Sequence, residues 1–335
     1  MRNQIENFLH TAIPGAQISD LHRIPGGVSG AAVYNARLTQ PFQGRVVAKY
    51  ASGIGALERA GGRLIQPYIA IPQETGRPLD DCYIMHHLPG ENVNSLVIRE
   101  APEAERALQT FVEAHSDMWH KTISRTAPST GYTRKAAETA TKLAVYTLGG
   151  HSMTGLMKRR VLINGKLLPP MEQILSDINA RLNSLSLSIL SHGDEGWANG
   201  IYDNDRVYMV DHCTAGRRVL PEAIAKIALW IPVTQGKGDF FESDVRGDEF
   251  EISYQLRLPN FSQHMMRQAF IAAMSNLSHL YTRESLYAAM ALYVFREIQW
   301  TARRGRECIL GYLIGLALEL SGGMYGYEAP FGLEV

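Results

Sequence analysis

The stretch Ser191-His192-Gly193-Asp194-Glu195-Gly196-Trp197-Ala198-Asn199 is followed closely by Val207-Tyr208-Met209-Val210-Asp211. An acid stands after a turn, an amide follows five residues later, and a second acid ends a short apolar strand. Phosphoryl transfer from ATP uses this set. One carboxylate orients the attacking hydroxyl and accepts its proton, while an amide oxygen and a second carboxylate hold magnesium against the phosphates. Few protein ligands are needed, because the phosphates supply negative charge and magnesium keeps several waters. These roles make Asp194 the general base and Asn199 and Asp211 the Mg2+ ligands. An aspartate near its ordinary pKa is ionised at neutral pH and suits the first task.

The elements around these residues have to bring them together. Residues 187–190 form a short apolar approach, and Ile201-Tyr202, the turn Asp203-Asn204-Asp205 and residues 206–210 predict a hairpin that returns Asp211 beside Asn199. Upstream, strands are predicted at 18–24, 31–38 and 45–50. The first two are joined by Pro25-Gly26-Gly27-Val28-Ser29-Gly30, a turn whose exposed N–H groups suit phosphate. Val46-Val47-Ala48-Lys49 places a lysine among alternating buried positions, where it requires a counter-charge. Glu58 is the only acid between Lys49 and Glu74, although glycines at 53, 55, 61 and 62 weaken a helix there. Residues 79–88 give a further strand ending at His87-Leu88.

The pattern H-G-D-x-x-x-x-N, with a second aspartate after a hairpin, resembles the aminoglycoside phosphotransferase and choline kinase group, relatives of protein kinases. The resemblance spans roughly residues 18–300, with specific motifs in a few short stretches. It implies an α+β, bilobal protein kinase-like fold. A small antiparallel sheet would form the N-terminal lobe (1–88) and a mainly helical lobe the rest (89–335). It implies ATP and Mg2+ as cofactors, with Lys49 on the nucleotide phosphates and paired with Glu58, Ser29 in the glycine-rich turn, and adenine at the hinge positions His87 and Leu88. The implied reaction moves the γ-phosphate to a hydroxyl of a small molecule: an aminoglycoside-like antibiotic, an amino sugar or an amino alcohol. Three positions depart from the group. His212 follows Asp211 where an aromatic is more usual. Glu195 stands where Leu or an aromatic is common, and is expected to touch substrate or water. Lys226 replaces a frequent aspartate, a change expected to affect packing rather than chemistry.

Composition narrows the class. The 335 residues have zero formal net charge, which gives no ground for a nucleic-acid or membrane partner. Cys82, Cys213 and Cys308 are odd in number and far apart, as expected of reduced thiols in the cytoplasm. No signal peptide and no membrane-spanning segment are evident. Amphipathic helices are predicted at 3–11, 105–119, 136–147 and after Pro169-Pro170, with loops at 121–134 and 149–155. An apolar helix is predicted at 224–231, and further helices from 263 onward. His115 lies on an apolar face and reads as a core histidine. His192 reads as a brace for its loop. Residues 239–251 hold six acids and one arginine, expected as a solvated loop or helix end, with an acidic wall for a cationic acceptor as the alternative. The tail from Gly322 is expected to be loosely held.

Two rivals use the same nucleotide residues. A protein kinase would continue from Asp211 into a long activation segment ending in A-P-E, but Cys213 to Leu220 leads directly to Pro221 and a helix. A nucleotide-binding pseudokinase with a regulatory role is disfavoured by the retention of Lys49, Asp194, Asn199 and Asp211.

Overall fold

The structure is a computed structural model that describes residues 2–25, 30–125, 132–274, 277–303 and 307–333. The glycine-rich turn is therefore largely outside the described residues, and Ser29 with it.

The N-terminal part is a four-stranded antiparallel sheet in the order β1-β2-β3-β4: β1 (Gln17–Arg23), β2 (Ala32–Gln40), β3 (Gly44–Tyr50) and β4 (Cys82–His86). Helix α1 (Arg2–Ala12) buries Ile5 and Leu9 in the same cluster as Val46, Ala48 and Ile84. Alternation along β3 puts Val46 and Ala48 into this cluster and Lys49 on the other face, towards α2 (Ile54–Ile65). The four glycines do not prevent α2 from forming. A β-carbon on Gly55 would lie 2.0 Å from Leu79 O, and one on Gly61 would lie 1.8 Å from His212 O. Glycine at these positions sacrifices helix propensity so that α2 can approach the backbone on both sides.

The chain then crosses through β5 (Glu91–Asn92) into α3 (Val93–Ile98), capped by the Asn92 side chain, and α4 (Ala104–Thr122). Next come α5 (Tyr132–Leu143), a small hairpin β6 (Thr147–Leu148) and β7 (His151–Ser152), and α6 (Met153–Leu156). The hairpin and α6 replace the loop expected at 149–155, and α5 ends earlier than its sequence pattern suggests. After β8 (Arg160–Ile163) and β9 (Lys166–Leu168), helix α7 (Met171–Asn183) buries Ile174, Leu175, Ile178 and Leu182.

The stretch that carries Asp194, Asn199 and Asp211 lies among β10 (Ile189–Ser191), β11 (Gly200–Asp203), β12 (Arg206–Met209) and β13 (Gly216–Arg218). Helix α8 (Leu220–Gln235) is buried along most of its length. It leads to β14 (Lys237–Arg246) and β15 (Glu249–Arg257), then α9 (Asn260–Met274), α10 (Arg283–Arg303) and α11 (Glu307–Gly322). A second large apolar cluster joins α4, α7, α8, α9, α10 and α11.

Two expectations change here. Residues 239–251 are not a loop or helix end: β14 and β15 form a hairpin in a four-stranded sheet ordered β14-β15-β8-β9, with β15 parallel to β8. Exposure alternates along 241–246, so Glu242 and Asp244 occupy the outward face of a strand. The tail is also held. Leu333 is buried, Tyr287 Oη donates to Leu333 O at 3.2 Å, and Tyr325 Oη donates to Asp177 Oδ2 at 2.7 Å.

Candidate active site

The hairpin β11–β12 turns through Asn204 and Asp205, both at positive φ, as a two-residue turn. Pairing of Gly200 with Met209 sets Val210 opposite Asn199, where Val210 N donates to Asn199 O at 2.9 Å. The predicted hairpin is the arrangement found, and it brings the residue before Asp211 opposite Asn199. Asp211 is left-handed, with φ 61°, and its side chain is 43% exposed. A left-handed aspartate is a costly conformation, held here by the strand before it and the short 3-10 turn His212–Thr214 after it.

Lys49 joins the two parts of the molecule. Its Nζ donates to Glu58 Oε1 at 2.5 Å and also to Asp211 Oδ1. Burial alone lowers the Lys49 pKa. The Asp211 and Glu58 carboxylates outweigh burial and hold it well above the usual lysine value, so the ammonium stays charged. The predicted counter-charge is thus present, carried by α2, which begins only a few residues after β3. His212 packs edge-on to Tyr83 and lies 3.4 Å from Glu58 Oε2. Burial lowers its pKa to about 4, so a neutral imidazole fills this position.

The loop carrying Asp194 rests on α8. Trp197 Nε1 donates to Ile227 O at 3.0 Å, and a β-carbon on Gly196 would strike the Trp230 ring at 2.3 Å. Gly193 has φ +88°, and a β-carbon there would lie 2.1 Å from Thr214 O. This conformation and this contact account for glycine between His192 and Asp194. His192 Nδ1 meets Asp194 O at 2.9 Å, the bracing role expected of it. Asn199 Nδ2 donates to Asp194 Oδ2 at 2.9 Å, which leaves Asn199 Oδ1 for a cation and Asp194 Oδ1 for a hydroxyl. Burial pushes the Asp194 carboxyl up, but Lys226, His192, the Asn199 hydrogen bond and Arg218 outweigh it and hold it below the usual aspartate value.

Two neighbours depart from their sequence reading. Glu195 does not face the solvent. It is fully buried, accepts from Gly193 N at 3.1 Å and receives the Ser191 hydroxyl. Lys226 is not merely packing: its Nζ donates to Gly193 O and lies 3.7 Å from Asp194 Oδ1. Gly193 is therefore held through both its N–H and its carbonyl. Charge alternation around the loop was not visible in sequence, because Lys226 approaches it from a helix that starts beyond β13.

Other candidates fall into place. His87 follows β4, and its N–H donates to Arg45 O at 3.1 Å, with Leu88 next in the chain. His115 is a core histidine, with Nδ1 2.8 Å from Phe111 O. Burial pushes the Cys213 thiol up to about 11 and the Cys82 thiol up to about 12, which makes both poor nucleophiles. Among the described residues no group of three or more His, Cys, Asp or Glu could hold a metal. Asn199 with Asp211 is instead a sparse pair with one free oxygen on each side chain, the donor set that suits magnesium shared with phosphates.

No protein-family model and no curated protein matches the sequence. Solved structures do match. Aminoglycoside phosphotransferase APH(4)-Ia is 16% identical, with 98% of this chain and 100% of that chain covered and a TM-score of 0.62. Choline kinase from Cryptosporidium parvum Iowa II is 10% identical, with 96% of each chain covered and a TM-score of 0.56. The amicoumacin kinase hAmiN, in complex with AMP-PNP, Ca2+ and Ami, is 11% identical, with 99% and 96% covered and a TM-score of 0.62. Over nearly its whole length, the chain has the protein kinase-like α+β fold of these small-molecule kinases.

Proposed function

We propose that this protein is an ATP- and Mg2+-dependent phosphotransferase that moves the γ-phosphate to a hydroxyl of a small molecule in the cytoplasm. The observation that carries the reading is the convergence of Lys49, Glu58 and Asp211 beside the hydrogen-bonded pair Asp194 and Asn199. Lys49 binds the nucleotide phosphates. Asn199 and Asp211 hold magnesium, which offsets charge on the phosphates. Asp194 Oδ1 orients the acceptor and takes its proton. Adenine bonds at the chain crossing, to the carbonyl of His87 and the backbone of Leu88, and the lobes divide after residue 88. The fold's solved relatives include complexes of APH(4)-Ia with AMP-PNP and hygromycin B and of hAmiN with AMP-PNP and Ca2+.

The acceptor classes are an aminoglycoside-like antibiotic, an amino sugar or an amino alcohol. The acidic segment gives limited support to a cationic one, because several of its acids face arginines. Arg246 meets Asp244 at 2.9 Å and Glu251 at 3.4 Å, and Arg160 meets Glu249 at 2.6 Å. Purified protein given ATP, magnesium and a panel of hydroxylated metabolites that includes aminoglycosides is expected to release ADP with at least one acceptor. Phosphate transfer only to added proteins would overturn the small-molecule reading and support a protein kinase.

A further inference from the structure

Lys226 lies on a helix outside the catalytic loop, yet its charged side chain reaches the open oxygen of Asp194. Its ammonium donates to Gly193 O and stands 3.7 Å from Asp194 Oδ1, the oxygen that Asn199 leaves free. The side chain is 12% exposed, so the charge is partly desolvated and only lightly screened. An ammonium has three donors, and one is used by Gly193 O. Glu195, fully buried and bound to Gly193 N, supplies a compensating negative charge within reach of Lys226. Gly193 is thereby fixed, with its carbonyl directed at Lys226 and the lysine directed along the loop to Asp194.

We propose that Lys226 is a catalytic residue that hydrogen-bonds the phosphoryl group as it passes to the acceptor bound at Asp194. The inference rests on the phosphotransferase reading above. In that reaction a bond forms between the acceptor oxygen and the γ-phosphorus as the bond to the β–γ bridging oxygen breaks. The hydroxyl proton goes to Asp194 Oδ1, and ADP leaves. The acceptor oxygen sits one hydrogen bond from Asp194 Oδ1, and the phosphoryl oxygens lie just beyond it. An ammonium beside Oδ1 is placed to meet one of those oxygens with a second donor. Charge spreads over these oxygens in the transition state, and a fixed cation there lowers the barrier. Lys49 is held by a different pair of carboxylates, Glu58 and Asp211. The two lysines would thus divide the triphosphate: one for the part that stays and one for the part that moves.

The test needs no knowledge of the acceptor. Binding of ADP with magnesium is measured with and without aluminium fluoride, which mimics the phosphoryl group in flight. The wild type is expected to bind at least about tenfold tighter with the fluoride. Lys226→Gln is one atom shorter but keeps a donor for Gly193 O and lacks the charge, and is expected to lose about tenfold of that gain with ADP affinity unchanged. Lys226→Arg is expected to retain most of the gain. Lys226→Met removes the Gly193 hydrogen bond as well. If only the Met variant loses the gain and the Gln variant keeps it, Lys226 is a positioning residue and the proposal fails. It also fails if the wild type binds ADP but gains nothing from aluminium fluoride, or if the variants gain as much as the wild type. A wild type that does not bind ADP at all overturns the phosphotransferase reading together with it.

Discussion

Lys49 has two carboxylate partners, and they come from different parts of the chain: Glu58 from α2 and Asp211 from the turn after β12. A buried ammonium needs such partners, which is why one lysine in an apolar strand could be read from sequence as a position that requires a counter-charge. Its two partners have unequal roles. Asp211 is 43% exposed and free to engage a cation, whereas Glu58 is buried and keeps Lys49 in place. Glu58→Gln should therefore weaken ATP binding about tenfold, the cost of one charged hydrogen bond, without altering the choice of acceptor. Titration of ATP and magnesium into the variant measures this, and unchanged affinity would show that Asp211 alone orients Lys49. Asp194, Asn199 and Asp211 stand out in the sequence because their types and intervals match those that phosphoryl transfer would use. Glu195 and Lys226 were not, because both act on the Gly193 backbone, and a backbone contact leaves no mark on residue spacing.

At the scale of elements, α2 shows how local propensity can mislead. Its glycines argue against a helix when taken singly, yet each of two faces presses on backbone, Gly55 on Leu79 O and Gly61 on His212 O. Helix propensity favours alanine over glycine by about 1 kcal/mol. At Gly61 the clash at 1.8 Å outweighs that gain, since the obstacle is a carbonyl rather than a flexible side chain. Gly61→Ala should lower stability by about 1–3 kcal/mol and weaken ATP binding, because α2 would carry Glu58 away from Lys49. Denaturant unfolding followed by nucleotide titration checks both, and a stabilised variant with intact binding would contradict the packing argument. The hairpin β14–β15 misled in the other direction. Acids at alternate positions resemble a solvated loop in composition, and only the intervening Phe241, Val245, Phe250 and Ile252 reveal the strand period.

For the whole molecule, the two apolar clusters set the plan. One lies under the N-terminal sheet and the other among the C-terminal helices. The periodicities of β1 to β3, α4, α7 and α9 to α11 carried both clusters in the sequence. The C-terminal sheet and the packed tail were hidden, since β8 and β9 are short and the tail is held by side chains reaching to isolated carbonyls and one aspartate. The candidate site lies where residues from the two clusters' elements meet, with Lys49 from the first and Asp194, Asn199 and Asp211 from the second. That meeting is the central claim, and Asp194→Asn tests it most directly. Phosphate transfer from ATP and affinity for ATP with magnesium are measured on the same preparation. Transfer is expected to fall by at least about a hundredfold while nucleotide affinity stays within about twofold of the wild type. Full transfer activity in the variant would contradict the assignment of the base, and with it the reading of the loop on which the function rests.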